Sequence, residues 1–265
     1  LIYTSYEMIQ DCRANRPEGW AFFLTNYVPV IRQFLRHYFP DRAADQALLE
    51  RVLRVLRQPE SNLFQSLDPA PERTFVAELR QRVLSAVEAD RPSARPEVCI
   101  DVEALGKALE PLTLTEKQVA WFETMRYGNA DTGRMLRMSP QTAEKIRARA
   151  AELVRSAVDA WSSTLLADNG ALLGQSAAAI STNLSTNDCL PAKTFFDVID
   201  GRATWRGREE MERHVKGCWH CLDRYCRLLE VVDVLRASKP LTESESEPYK
   251  RLLGIEGRKR GFWKR

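Results

Sequence analysis

Charge of one sign is not in excess. The 265 residues carry 39 Lys and Arg against 36 Asp and Glu, a net charge of +3. That balance is too small to argue for a nucleic-acid partner on charge alone. No apolar run approaches the ~20 residues that a membrane span needs. The opening residues show no secretory leader pattern. There are only three histidines, His37 stands alone on an aromatic stretch, and no glycine-rich phosphate loop occurs. The acids are scattered over what read as helix faces. An enzyme is therefore not expected. β-Branched alternation is scarce, which excludes an extensive sheet, and no 20–50-residue repeat occurs. Six cysteines in a chain of this length are too few for a disulfide scaffold. Their clustering with a histidine fits a reducing, cytoplasmic setting.

What is present reads as an all-α chain with apolar residues enough for real cores, 44% hydrophobic and 28% charged. Residues 1–90 read as a helical domain. Its expected helices are Trp20 to Phe39, Ala43 to Leu56 and Arg73 to Ala89, with Pro29 kinking or dividing the first. Arg91 to Pro96 is a short linker, and residues 102–166 form a second helical unit. Residues 167–188, rich in Ala, Ser, Asn and Gly, read as a flexible linker. A small domain at 189–236 and a polar, then basic, tail at 237–265 complete the chain.

The small domain holds a metal-ligand pattern: Cys189, then His214, Cys218 and Cys221. The last three are spaced i, i+4 and i+7, so one helix would aim an imidazole and two thiolates at a common point. Cys189 would come from a separate segment. Three sulfurs and one nitrogen suit a closed, structural tetrahedral zinc site rather than a catalytic one. His220 and Cys226 fall off that face, with Cys226 the substitute should Cys189 not serve; Cys12 and Cys99 read as packing residues.

Upstream, Leu114-Thr115-Glu116-Lys117-Gln118 opens a helix, with Thr115 and Gln118 as the expected capping box. Val119, Phe122 and Met125 form its apolar face, and Tyr127-Gly128-Asn129 breaks it. A short helix follows, with Gly133 at a close approach and Leu136 inward. Ser139-Pro140 restarts the chain as N-cap and first helical residue. In the helix that follows, Ala143, Ile146, Ala150 and Leu153 point inward. Gln141, Thr142, Lys145 and Arg149 point outward, as docking in a DNA major groove requires.

Leu114 through Leu153 resembles region 4 of sigma-70-type factors, which reads the −35 promoter element, and is similar to the helix-turn-helix of LuxR-type regulators. Arg137 stands where these families carry a turn glycine, and Glu144 where a basic residue is common. The stretch Tyr6 to Trp20 with the aromatic helix behind it resembles region 2 of extracytoplasmic-function sigma factors. Asp45-Gln46 stands at that family's polymerase-binding stretch, and Phe75 to Val83 at its promoter-melting helix. Glu78 and Ser85 stand near the usual Trp and Asn. His214-x3-Cys218-x2-Cys221 with Cys189 upstream resembles the zinc-binding anti-sigma domain, with Phe195 to Gly201 at its first helix. Such domains grip sigma factors between regions 2 and 4, and some lose zinc when their thiols oxidise.

These resemblances imply a DNA-binding transcription protein with core RNA polymerase and a −35-like element as partners, restrained in cis by a zinc-binding anti-sigma-like domain. Two other readings remain: a conventional helix-turn-helix regulator, and an interaction module that captures a sigma factor without binding DNA. The basic end Arg258 to Arg265, with Phe262 and Trp263, is compatible with phosphate contact or with membrane attachment beyond residue 265.

Overall fold

The computed structural model describes residues 3–42, 44–59, 63–64, 72–88, 110–157 and 189–255. Among them every regular element is helical, so the fold is all-α. Residues 91–96, the 167–188 linker, Cys99 and the basic end lie outside the described residues. The chain divides into two compact units, one of residues 1–93 with 231–265 and one of residues 94–230.

The first unit is built around α2 (Pro17–Tyr38). On it pack α1 (Ser5–Arg13) and α4 (Glu72–Glu88), with α3 (Gln46–Arg57) against α4. Thr4 closes a capping box with Glu7 at the start of α1. Asp45 caps α3, its carboxylate accepting from Leu48 N–H at 3.1 Å. That bond holds its carboxyl below the usual range. So Asp45 has a structural task, whatever else it contacts. The core is aromatic: Phe23, Tyr27, Phe64 and Phe75 meet one another in edge-on and stacked pairs. From α4, Phe75, Val76, Leu79 and Val83 are all buried.

Pro29 does not divide α2, which runs unbroken for 22 residues. A proline inside a helix has no N–H to give to the carbonyl four residues back. Here that carbonyl belongs to Thr25, and it accepts instead from Leu241 N–H at 2.8 Å. The segment read as a polar tail is thereby sewn to α2, and it goes on to form α11 (Glu243–Leu252), capped by Thr242 and Glu245. Tyr249 of α11 is buried and its hydroxyl meets Arg32. Val231, Val234, Leu253 and Ile255 join the same core.

The second unit contains α5 (Leu114–Thr124), α6 (Asn129–Leu136) and α7 (Pro140–Ala157), then α8 (Ala192–Ile199) and α9 (Trp205–Gly217). It also takes the first part of α10 (Trp219–Ala237). One hydrophobic cluster serves both groups of helices. Trp121, Phe122 and Met135 share it with Phe195, Met211, Trp219 and Leu222.

Candidate functional site

The capping box of α5 lies two residues earlier than expected. Thr113, not Thr115, is the N-cap, and Glu116, not Gln118, returns its carboxylate to Thr113 N–H at 2.9 Å. A carboxylate accepting a backbone N–H and a hydroxyl favours its charged form, and the Glu116 carboxyl is held below its usual range. The turn between α6 and α7 is as tight as a glycine implies. A Cβ on Gly133 would come within 2.7 Å of the Met138 carbonyl oxygen. Arg137 takes the left-handed conformation at φ 57°, the geometry that suits a glycine better. Ser139 then caps α7, its Oγ accepting from Thr142 N–H at 3.1 Å.

Along α7, Ala143 and Ala150 are buried and Ile146 half-buried; the side chain of Leu153 is outside the described residues. Gln141, Thr142, Lys145 and Arg149 are all exposed on the same helix. Arg149 reaches back to Glu116 at 3.2 Å, so one of the four outward groups begins with an acidic partner. Glu144 is exposed among them.

The sulfur ligands come together, but not on one helix. α9 ends at Gly217, Cys218 is extended, and α10 starts at Trp219. Cys218 N–H still donates to His214 C=O, and Cys218 C=O accepts from Leu222 N–H, each at 2.9 Å. Cys218 therefore ends one helix and begins the next. His214 lies in the last turn of α9, and Cys221 in the first turn of α10. The Sγ atoms of Cys189, Cys218 and Cys221 all lie within 4.8 Å of one another, a group that could hold a metal ion. Cys189 Sγ is 4.0 Å from Cys218 Sγ, and His214 Nε2 is 3.3 Å from Cys221 Sγ. A tetrahedral centre with metal–sulfur bonds of ~2.3 Å spaces its sulfurs by about 3.8 Å. The three sulfurs thus have both the chemistry and nearly the spacing of such a centre; His214 lies beside Cys221 but is not one of that group.

Cys218 and Cys221 are buried while Cys189 is exposed. Burial pushes the Cys221 thiol up to about 12, although Leu190 N–H, directed at its sulfur, opposes that rise. A metal ion would have to displace that proton. Arg224 donates to Leu190 C=O at 3.2 Å and so fixes the segment that brings Cys189 in. Gly201, at φ 71°, closes the turn after α8. His220 is exposed, Cys226 is fully buried in the core, and Cys12 packs on Met8, so none of these joins the sulfur group.

Several residues that join the two groups of helices are not marked by any pattern in the sequence. Lys117 is buried, and its Nζ donates to Lys216 C=O at 2.8 Å. The same ammonium lies 4.4 Å from the centre of the Trp219 ring. Trp121 stacks on Trp219 and donates from Nε1 to Asp223 at 3.0 Å. Tyr127 donates to the buried Glu230 at 2.7 Å. Buried polar groups sequestered from water need such partners. A signal was available in hindsight: Lys117 and Trp121 are i and i+4, a polar–aromatic pair on the face next to the apolar one.

Comparison with protein-family models, with curated proteins and with solved structures returned no match. Among the described residues, no helix is long and apolar enough to cross a membrane.

Proposed function

We propose that the protein is a sigma factor-like transcription protein. In this reading α5–α7 form a helix-turn-helix that binds a −35-like promoter element. The segment α8–α10 is a zinc-binding, anti-sigma-like module acting on it in cis. The carrying observation is the docking of the cysteine-bearing helices on α5 and the turn after it, through Lys117, Trp121 and Tyr127. It supports a restraint that works by gripping the first helix of the helix-turn-helix. Gln141, Thr142, Lys145 and Arg149 remain exposed, so the restraint does not consist of covering them. Zinc, held by Cys189, Cys218 and Cys221 with His214 as fourth donor, would supply structural stability rather than catalysis. Arg149 would have to exchange Glu116 for a phosphate or base edge on binding DNA.

Core RNA polymerase is the proposed protein partner, through the first unit. The test is promoter footprinting with the full chain, with and without core polymerase. Polymerase-dependent protection of a −35-like element supports the reading. Protection of an operator without polymerase would replace it with a conventional regulator. No DNA binding, together with metal-dependent capture of another sigma factor, would replace it with an interaction module.

A further inference from the structure

The junction that carries two candidate metal ligands is held from outside the cysteine-bearing helices. The last carbonyls of a helix have no intrahelical donor, and the C-terminal end carries partial negative charge. At the end of α9 one of these carbonyls belongs to Lys216, between His214 and Cys218 in sequence. It is satisfied by the ammonium of Lys117 at 2.8 Å. The ammonium also faces the ring of Trp219, directly after Cys218. One cation thus touches the residues on both sides of the Gly217–Cys218 junction. Burying an ammonium among apolar groups is costly unless it is paired, and Lys117 is only 4% exposed. Packing alone would be served by a methionine of similar shape.

The geometry points to Lys117 as a positioning residue for the metal centre: an α5 lysine that caps α9 and thereby ties metal affinity to the docking of α5. It rests on the metal reading given under the proposed function. Outer partners that hydrogen-bond a ligand change metal affinity by about 10- to 100-fold when removed; Lys117 acts one step further out, on the backbone between two ligands, so the lower end of that range is expected. The coupling is reciprocal: whatever factor docked α5 adds to metal affinity, bound metal adds to the docking of α5. The metal centre then reports to the helix-turn-helix through α5.

The experiment is titration of the reduced full chain with cobalt(II), following the thiolate-to-cobalt absorption. The Lys117→Met chain should give the same spectrum, since its ligands are unchanged, with an affinity lower by about tenfold or more. A Met135→Ala chain, which opens the same core away from the junction, should keep nearly the parent affinity. Hydrogen exchange on the unsubstituted chain needs no variant: metal should slow the amides of Leu114–Thr124. If the parent chain shows no thiolate–cobalt absorption, the metal reading falls and the proposal with it. Suppose instead that cobalt binds, but Lys117→Met stays within about twofold of the parent. Then the metal reading stands and the positioning role is overturned. Equal weakening by Met135→Ala, or unchanged exchange in α5, overturns it in the same way.

Discussion

Large side chains with no exposed surface in the first unit include Phe23, Tyr27, Phe34 and Phe75, and they touch mainly one another and aliphatic neighbours. The first unit also buries a charged side chain, Arg80, against Tyr38; the second buries Phe122 and Phe195, and beside them Lys117, Glu230 and the thiols of Cys218 and Cys221. The first unit is held chiefly by removal of apolar surface from water, a non-directional force roughly proportional to area. The second shares an apolar cluster between its two groups of helices and adds directional bonds from one group to the other. A structure of the second kind can be loosened by a change at one point, which suits a regulated element.

That contrast can be broken most directly at the three-cysteine group. Structural zinc contributes on the order of 10 kcal/mol of apparent binding energy in small zinc-folded peptides. Chelation, or Cys218→Ser, should therefore strip hydrogen-exchange protection from α8 through the start of α10 and leave α1–α4 protected. Equal loss in both units would erase the distinction. Next in size, Phe75→Ala should cost about 3–5 kcal/mol in urea unfolding while leaving cobalt affinity unchanged. A parallel fall in cobalt affinity would count against two separate kinds of core. Gly133→Ala should cost about 1–3 kcal/mol, because its Cβ meets backbone rather than a movable side chain.

A pH effect is expected from the buried cation. Burial lowers the Lys117 pKa from 10.5 to about 8. Between those values the folded chain has released the proton and the unfolded chain has not. The contribution of Lys117 to stability therefore rises with pH across that window. Denaturant unfolding at several pH values, comparing the parent with Lys117→Met, should show a rise in the parent that the variant lacks. A common slope would refute it. Smallest, Arg137→Gly should gain about 1 kcal/mol by relieving the left-handed backbone, read as a higher unfolding midpoint.

Much of the fold was legible in residue spacing, because helix faces and caps are local properties. The 3.6-residue stripe of α2, the Ser139-Pro140 restart and the glycine turn at Gly133 were all readable in this way. Local signals also misled. Thr115 and Gln118 fit a capping box as well as Thr113 and Glu116 do, and the choice depends on where the chain turns. Pro29 looked like a break because the sequence does not show that Leu241 N–H takes the freed carbonyl. At the candidate site, the i, i+4, i+7 spacing pointed to Cys218 and Cys221, whose sulfurs do lie together with that of Cys189, but it placed them on one helix. They converge because the chain bends at Cys218, not because one helix passes through all of them. Lys117, Trp121 and Glu230 stayed hidden because their roles are set by residues about 100 positions away.

If the cysteine-bearing helices restrain the proposed helix-turn-helix by holding α5, releasing α5 should raise transcription. The most direct test is run-off transcription by core RNA polymerase with the full metal-loaded chain, against the same chain carrying Asp223→Ala and Glu230→Ala. Those substitutions remove the acceptors for Trp121 and Tyr127 without touching the exposed residues of α7. Weak promoter-specific transcription is expected from the parent and a clear increase from the variant. Equal transcription from both, with the variant shown by hydrogen exchange to have released α5, would contradict that restraint.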